Sequence, residues 1–207
     1  MDVRAQDSDA QPQTEAVVVN NEEKVAVELN DSVSAVKALS DRDPQRRQTA
    51  AETLARLATS EHRRLVQGYR LQERDARVRL ALDWALYRLG KPEALFSVVN
   101  ALEAPQHREQ AISYLSRLDD PTTLVALLKS RKRAVKTGAL EALSNVGDEA
   151  AAKQIEPLVS STDIEVAAAA QLALTEIERR LGKQPPVDAL PTRPRQVGKP
   201  AGTENPI

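Results

Sequence analysis

No cysteine occurs anywhere in the chain, which excludes disulfides, thiolate nucleophiles and every metal site that needs a sulfur ligand. Other ligands are almost as scarce. The only two histidines, His62 and His107, stand far apart, and neither has a histidine or carboxylate partner at a standard ligand spacing. The seven glycines are scattered, so no glycine-rich loop cradles a phosphate, and no serine sits in a nucleophile elbow. Acid pairs such as Glu22-Glu23 and Asp119-Asp120 fall in a tail and a turn, where solvation accounts for them. The expectation is a chain that is not an enzyme and carries neither cofactor nor metal. Aromatic residues are only 2% of the total, so the core must be made of Leu, Ala and Val, which suits closely packed helices. No apolar run approaches the ~20 residues that span a bilayer, and no h-region marks a signal peptide. These absences favour a cytoplasmic protein. The alternative is an exported bacterial protein without its leader, since Val3-Arg4-Ala5-Gln6 has the small or aliphatic residues of a cleavage point.

Charge is plentiful but balanced: 29% of residues are charged and the net charge is −1. No global field therefore draws the chain to nucleic acid or an anionic membrane. Its distribution is uneven, with eight acids against two bases in 1–31 and ten bases against five acids in 42–79. Residues 1–30 lack a helical period and are read as an acidic, mostly disordered segment, in which Val17–Leu29 is the one stretch with an apolar character that could dock. From Lys183 the chain carries Pro185, Pro186, Pro191, Pro194, Pro200 and Pro206, a density that forbids a helix and predicts a disordered tail over 183–207.

Between these ends, over 31–182, a helical pattern repeats. Aligning 43–57, 75–89, 104–118, 132–146 and 163–177 produces three apolar columns: Ala50, Leu82, Ala111, Ala139, Ala170; Leu54, Leu86, Leu115, Leu143, Leu174; and Leu57, Leu89, Leu118, Val146, Ile177. Offsets of three and four place the columns on one helical face. Successive copies lie 32, 29, 28 and 31 residues apart, a period that fits a helix pair with tight turns. The partner helices are predicted at 31–39, 60–71, 92–102, 121–128 and 148–159, started by Asp31 or Ser32, Ser60, Pro92, Pro121 and Asp148. Gly90, Gly147 and Gly182 are expected to close second helices in the left-handed conformation.

Asp75-Ala76-Arg77-Val78-Arg79 followed by Ala81, Leu82, Ala85, Leu86, Leu89 and Gly90 resembles the short HEAT repeat, of the kind shared with phycobilisome lyases. Asp43 and Arg47 repeat the spacing, Val135-Lys136 keep part of it, and Asp163 and Val166 keep part with Ala167 in the basic position. The resemblance implies an all-α fold, a right-handed α-solenoid of about five HEAT-like helical hairpins. It also implies that second helices line a concave surface and that the repeated Asp and Arg tie neighbouring hairpins together. The tetratricopeptide pattern, baited by Trp84-Ala85-Leu86-Tyr87, has a thirty-four-residue period that does not fit. The family alone would also allow an accessory to chromophore attachment, for which no specific motif is present.

Function then rests on surface columns. Arg47, Arg79, Arg108 and Lys136 fall in the first turn of second helices, and their ordinary reading is the inter-repeat ladder with Asp43 and Asp75. Arg56, Arg88 and Arg117 precede the closing aliphatic, where the helix dipole favours a cation by ~0.3–1 kcal/mol. Trp84 aligns with Glu52, Ser113, Glu141 and Leu172, a mostly polar column that predicts exposure, and Leu80 and Tyr87 lie on the same stripe. An exposed Trp, Tyr and Arg have the composition of a hot spot, against the plain alternative that Trp84 fills a gap between hairpins. The reading is a protein-interaction scaffold that binds a protein or peptide through Trp84, Tyr87, Arg88, Leu80, Arg56 and Arg117. The alternative is a nucleic-acid binder that uses the basic stretch 42–79 (Arg63, Arg64, Arg70, Arg74, Arg77) and the cluster Lys129, Arg131, Lys132, Arg133 and Lys136 against phosphates.

Overall fold

The computed structural model describes residues 27–182, and these form ten α-helices in five consecutive pairs, with no strand among the described residues. The second helices are α2 (Pro44–Leu57), α4 (Ala76–Arg88), α6 (Pro105–Leu115), α8 (Arg133–Val146) and α10 (Ile164–Arg180). The first helices are α1 (27–38), α3 (Arg63–Gln72), α5 (Leu95–Ala101), α7 (Thr122–Leu127) and α9 (Glu149–Ile155). Short 3₁₀ turns precede α3 and α5 and follow α9, so the first helices are the shorter, more irregular layer. Second helices pack side by side in chain order, and each of α3, α5, α7 and α9 packs on the second helix of its own pair. The result is a helical solenoid. Helix α1 is already formed at 27, so the segment read as 1–30 contributes a turn to it; the rest of that segment, and the tail read from Lys183, lie outside the described residues.

The apolar columns form the seam between the layers. Ala50, Leu82, Ala111, Ala139 and Ala170 are buried, as are Leu54, Leu86, Leu115 and Leu143, while Leu57, Val146 and Leu174 are half-buried. Each buried Leu contributes about 1.5–3 kcal/mol relative to exposure, and the alanines let helix axes approach. The aspartates before the second helices are N-caps. Asp43 accepts from the Gln45 N–H, Asp75 from those of Arg77 and Val78, and Asp163 from those of Glu165 and Val166. Each satisfies donors that the first turn would otherwise leave unpaired.

The inter-hairpin tie takes a different form from the expected Asp–Arg ladder, because those aspartates are engaged in capping. The Arg47 guanidinium instead grips Glu73 of the next hairpin, with Nε to Oε2 at 2.7 Å and Nη2 to Oε1 at 2.9 Å. Glu73 Oε1 also accepts from the N–H groups of Arg74 and Asp75, at 2.9 Å each, fixing the turn that leads into α4. In the same column Arg108 donates to the Ala134 carbonyl at 2.8 Å and to Thr137 Oγ1 at 3.0 Å, again reaching the following hairpin. Arg79 is exposed and joins no such tie among the described residues.

The glycine stops divide. Gly90 (φ +88°) and Gly182 (φ +69°) are left-handed as expected. Gly147 is not: its φ is −60° and ψ 143°. It is small for a packing reason, since a Cβ there would lie 2.6 Å from the Leu143 carbonyl oxygen and 2.7 Å from Ile177 Cδ1. Helix α2 ends on Ala58 at φ 53°, a left-handed alanine where a glycine would be unstrained.

Leu86→Ala and Leu143→Ala, at sites 3% and 0% exposed, should each lower the free energy of unfolding by about 2–5 kcal/mol in urea melts. A silent change at either would mean that the hairpin is packed in another register. Glu73 gives a pH signature. The Arg47 guanidinium holds its carboxyl below the ordinary carboxylate value, so the stability it contributes is complete above that ordinary value of ~4.3 and is lost as pH falls through the depressed one. Glu73→Gln should therefore destabilise at neutral pH, with the difference from wild type shrinking steadily below about pH 4; a difference independent of pH would refute the ion pair.

A candidate partner-binding groove

Helix α4 is buried on nearly every side: Val78, Leu80, Ala81, Leu82, Asp83, Trp84, Ala85 and Leu86 are all buried. This corrects the expectation for two site residues. Trp84 is 2% exposed and Leu80 5%, although their columns are mostly polar in the other copies. The cause is Tyr114 of α6. Its ring lies parallel to that of Trp84, with centroids 5.6 Å apart and planes 5° apart. Tyr87, half-buried one turn on, stacks with Trp84 at 5.5 Å. Each such aromatic pair adds about 0.5–1.5 kcal/mol beyond burial.

Tyr114 also joins the first and third hairpins directly. Its hydroxyl donates to Glu52 Oε1 of α2 at 2.6 Å and accepts from Gln110 Nε2 at 2.8 Å. Burial first, then the Glu52 carboxylate, push the phenol above its ordinary value, so it remains a donor throughout the useful pH range. Gln48 donates to the same Glu52 oxygen at 2.9 Å. Sequence reasoning missed Tyr114. The signal was present: its column otherwise holds Thr53, Ala85, Ala142 and Ala173, so one large residue stands among small ones, beside the single Trp.

Around the rim of this aromatic floor, the arginines converge. Arg56, Arg88 and Arg117, from the ends of α2 and α4 and just past α6, line one groove of about 490 Å³ with Thr49, Glu52, Thr53, Ala55 and Trp84. Arg88 lies over the Trp84 ring at 5.9 Å, in cation–π range. It also pairs with Asp119 Oδ2 at 2.7 Å, and Arg56 pairs with Asp31 Oδ2 at 3.1 Å. Arg117 is exposed and has no ion-pair partner among the described residues. Four of the six predicted contact residues thus share one groove; Leu80 and Tyr87 are packed behind it.

The basic cluster is partly neutralised by neighbouring hairpins. Lys132 pairs with Glu103 at 2.7 Å and Arg133 with Glu165 at 3.3 Å, which leaves Lys129 and Arg131 exposed and Lys136 half-buried. Among the 42–79 bases, Arg70 is held by buried Asp83 at 2.6 Å. His62 Nε2 lies 2.5 Å from the hydroxyl of buried Ser32, and no group of acids and histidines among the described residues is arranged to hold a metal ion. No described helix is long and apolar enough to cross a membrane.

The fold is a helical repeat array. Residues 97–175 match the family model for HEAT repeats. Two engineered proteins with crystal structures, both Northeast Structural Genomics Consortium targets, are similar to this chain. One is 24% identical over 71% of this chain and 79% of that chain, the other 23% identical over 70% of this chain and 47% of that chain, each with a TM-score of 0.32. The chain therefore spans about half the length of the second. No curated protein matches it.

As a buried aromatic, Trp84 should emit with a blue-shifted maximum and resist iodide and acrylamide. Trp84→Ala should cost about 3–5 kcal/mol, and Tyr114→Phe, which removes only the hydroxyl from Glu52, about 1–2 kcal/mol. Water-like, readily quenched emission from the native chain would contradict the stacked arrangement.

Proposed function

We propose that the chain is a non-catalytic interaction scaffold that binds another protein on the face formed by its second helices, at the groove framed by Arg56, Arg88 and Arg117. The observation that carries this reading is the convergence of three equivalent arginines, from three successive hairpins, on one groove that Trp84 also lines. Arginine on an aromatic platform is a typical composition of interface centres, and it is held here in a prearranged position by Asp119 and the indole. The part-buried pairing of Arg47 and Arg70 with acids removes two bases that a nucleic-acid surface would use. A phosphate-tracking surface needs bases that are not already neutralised.

A photo-crosslinking residue in place of Thr53, inside the groove, tests the reading in cells of the source organism; the same residue in place of exposed Phe96, on a first helix, is the control. The expected result is a discrete protein adduct from position 53 only, abolished by Arg117→Glu. Adducts from position 96 alone, or a nucleic-acid adduct at 53, would sink it.

A further inference from the structure

We infer that the groove takes a carboxylate-bearing, extended segment of its partner, with Arg117 as the leading anion contact and Arg88 as the second; this rests on the protein-binding reading above and adds its chemistry. The chain itself shows how these arginines receive a carboxylate. Arg56 holds Asp31 and Arg88 holds Asp119, whereas Arg117, in the same register, holds none among the described residues. Asp119 is a replaceable partner. Its side chain is 84% exposed, while that of Arg88 is 23% exposed. Because Asp119 stands in solvent, an incoming carboxylate can replace it at Arg88, whose guanidinium stays placed over the indole, while it also meets Arg117. Two guanidinium forks suit the planar carboxylate geometry of Asp and Glu.

The groove also offers acceptors to a peptide backbone. Thr49 and Thr53 line the groove, and their hydroxyls donate to the Gln45 and Thr49 carbonyls at 3.0 and 2.9 Å. What they still offer a ligand is an acceptor. Glu52, already holding Tyr114 and Gln48, is an acceptor as well. A groove that offers arginine donors together with hydroxyl and carboxylate acceptors fits a chain that carries both carboxylates and main-chain N–H groups. A nucleic-acid backbone has no N–H to give those acceptors.

The test is to pan a phage library of random dodecapeptides against the full chain and to titrate the best synthetic peptide by calorimetry. Enriched peptides should carry two or more Asp or Glu residues. Arg117→Ala should weaken the peptide at least about tenfold with an unchanged thermal midpoint, since Arg117 is exposed, and Arg131→Ala should leave it unchanged. No enrichment, enrichment of peptides without acids, or indifference to Arg117→Ala would overturn the inference. So would tighter binding of a thymidine oligonucleotide that depends on Arg117. The chain's own acids are the remaining rival: replacing Asp2, Asp7, Asp9, Glu15, Glu22 and Glu23 by amides in the full chain should leave the affinity within about twofold. A tenfold gain would assign the groove to the chain's own N-terminal segment and refute a partner carboxylate. If position 53 captures a protein while no acidic peptide binds, the scaffold reading stands and only the carboxylate chemistry falls.

Discussion

The packing of α2 and α6 around α4 is the constraint from which the rest of the second-helix face follows. A second helix in an open solenoid buries one face against its partner and two flanks against its neighbours, leaving a fourth side to solvent. In α4 the fourth side carries Leu80 and Trp84, and both are buried. Tyr114 covers the indole from α6 and hydrogen-bonds to Glu52 on α2, so hairpins one and three touch over hairpin two. Asp83 of α4 is buried as well, which is tolerable only because Arg70 of α3 meets it at 2.6 Å. An uncompensated carboxylate there would carry a desolvation cost of several kcal/mol. The arginines at the helix ends are left at the rim of the closed face, and that is why they share one groove.

The hairpins, their order and their core columns were legible in the sequence because each depends on contacts within a repeat or between adjacent ones. Spacings of three and four identify a buried stripe, and residues such as Leu54, Leu115 and Leu143 are 0% exposed. Of the capping residues Asp148 was legible, and it accepts from the Ala151 N–H. Asp31 and Ser32 instead lie inside α1, Ser60 opens a 3₁₀ turn without a side-chain cap, and Asp43, Asp75 and Asp163, expected to tie neighbouring hairpins, cap their own helices. Trp84 was misread because its exposure depends on a side chain thirty positions away, and a column average reports what the typical copy does. Gly147 was misread for a related reason. Its smallness answers to the Ile177 side chain of the next hairpin, while the local sequence looks like an ordinary helix stop. The groove was half legible: Arg56, Arg88 and Arg117 could be seen as a column, but that the column lines one groove is a consequence of how α2, α4 and α6 pack.

The Arg47–Glu73 clamp shows a related economy of roles. An aspartate before a helix can cap that helix or pair with an arginine of a neighbouring repeat, and one carboxylate has limited lone-pair directions for both. Here Asp43 and Asp75 cap, and the tie passes to Glu73, which is 8% exposed at its side chain. Glu73 still serves the turn by accepting two backbone N–H groups. One buried ion pair therefore locks both the hairpin stacking and the entry into α4. Removing it would loosen the very helix over which the aromatic face closes.

The far half of the array shows what the same register does without an aromatic cover. Leu172 of α10 occupies the position of Trp84, yet it is 68% exposed. It stands with Leu140, Ala168, Ala169 and Ala173 along a groove of about 620 Å³ between α8 and α10 that Arg108, Arg133, Glu141 and Glu165 also line. No later second helix follows α10 among the described residues, and the Tyr114 column is alanine at 142 and 173. A large residue at this register is thus buried or exposed according to what the next hairpin supplies, not according to its own helix. The chain presents two grooves along one face, one over the Trp84–Tyr114 stack and rimmed by Arg56, Arg88 and Arg117, the other left open along α10 where no later side chain covers Leu172.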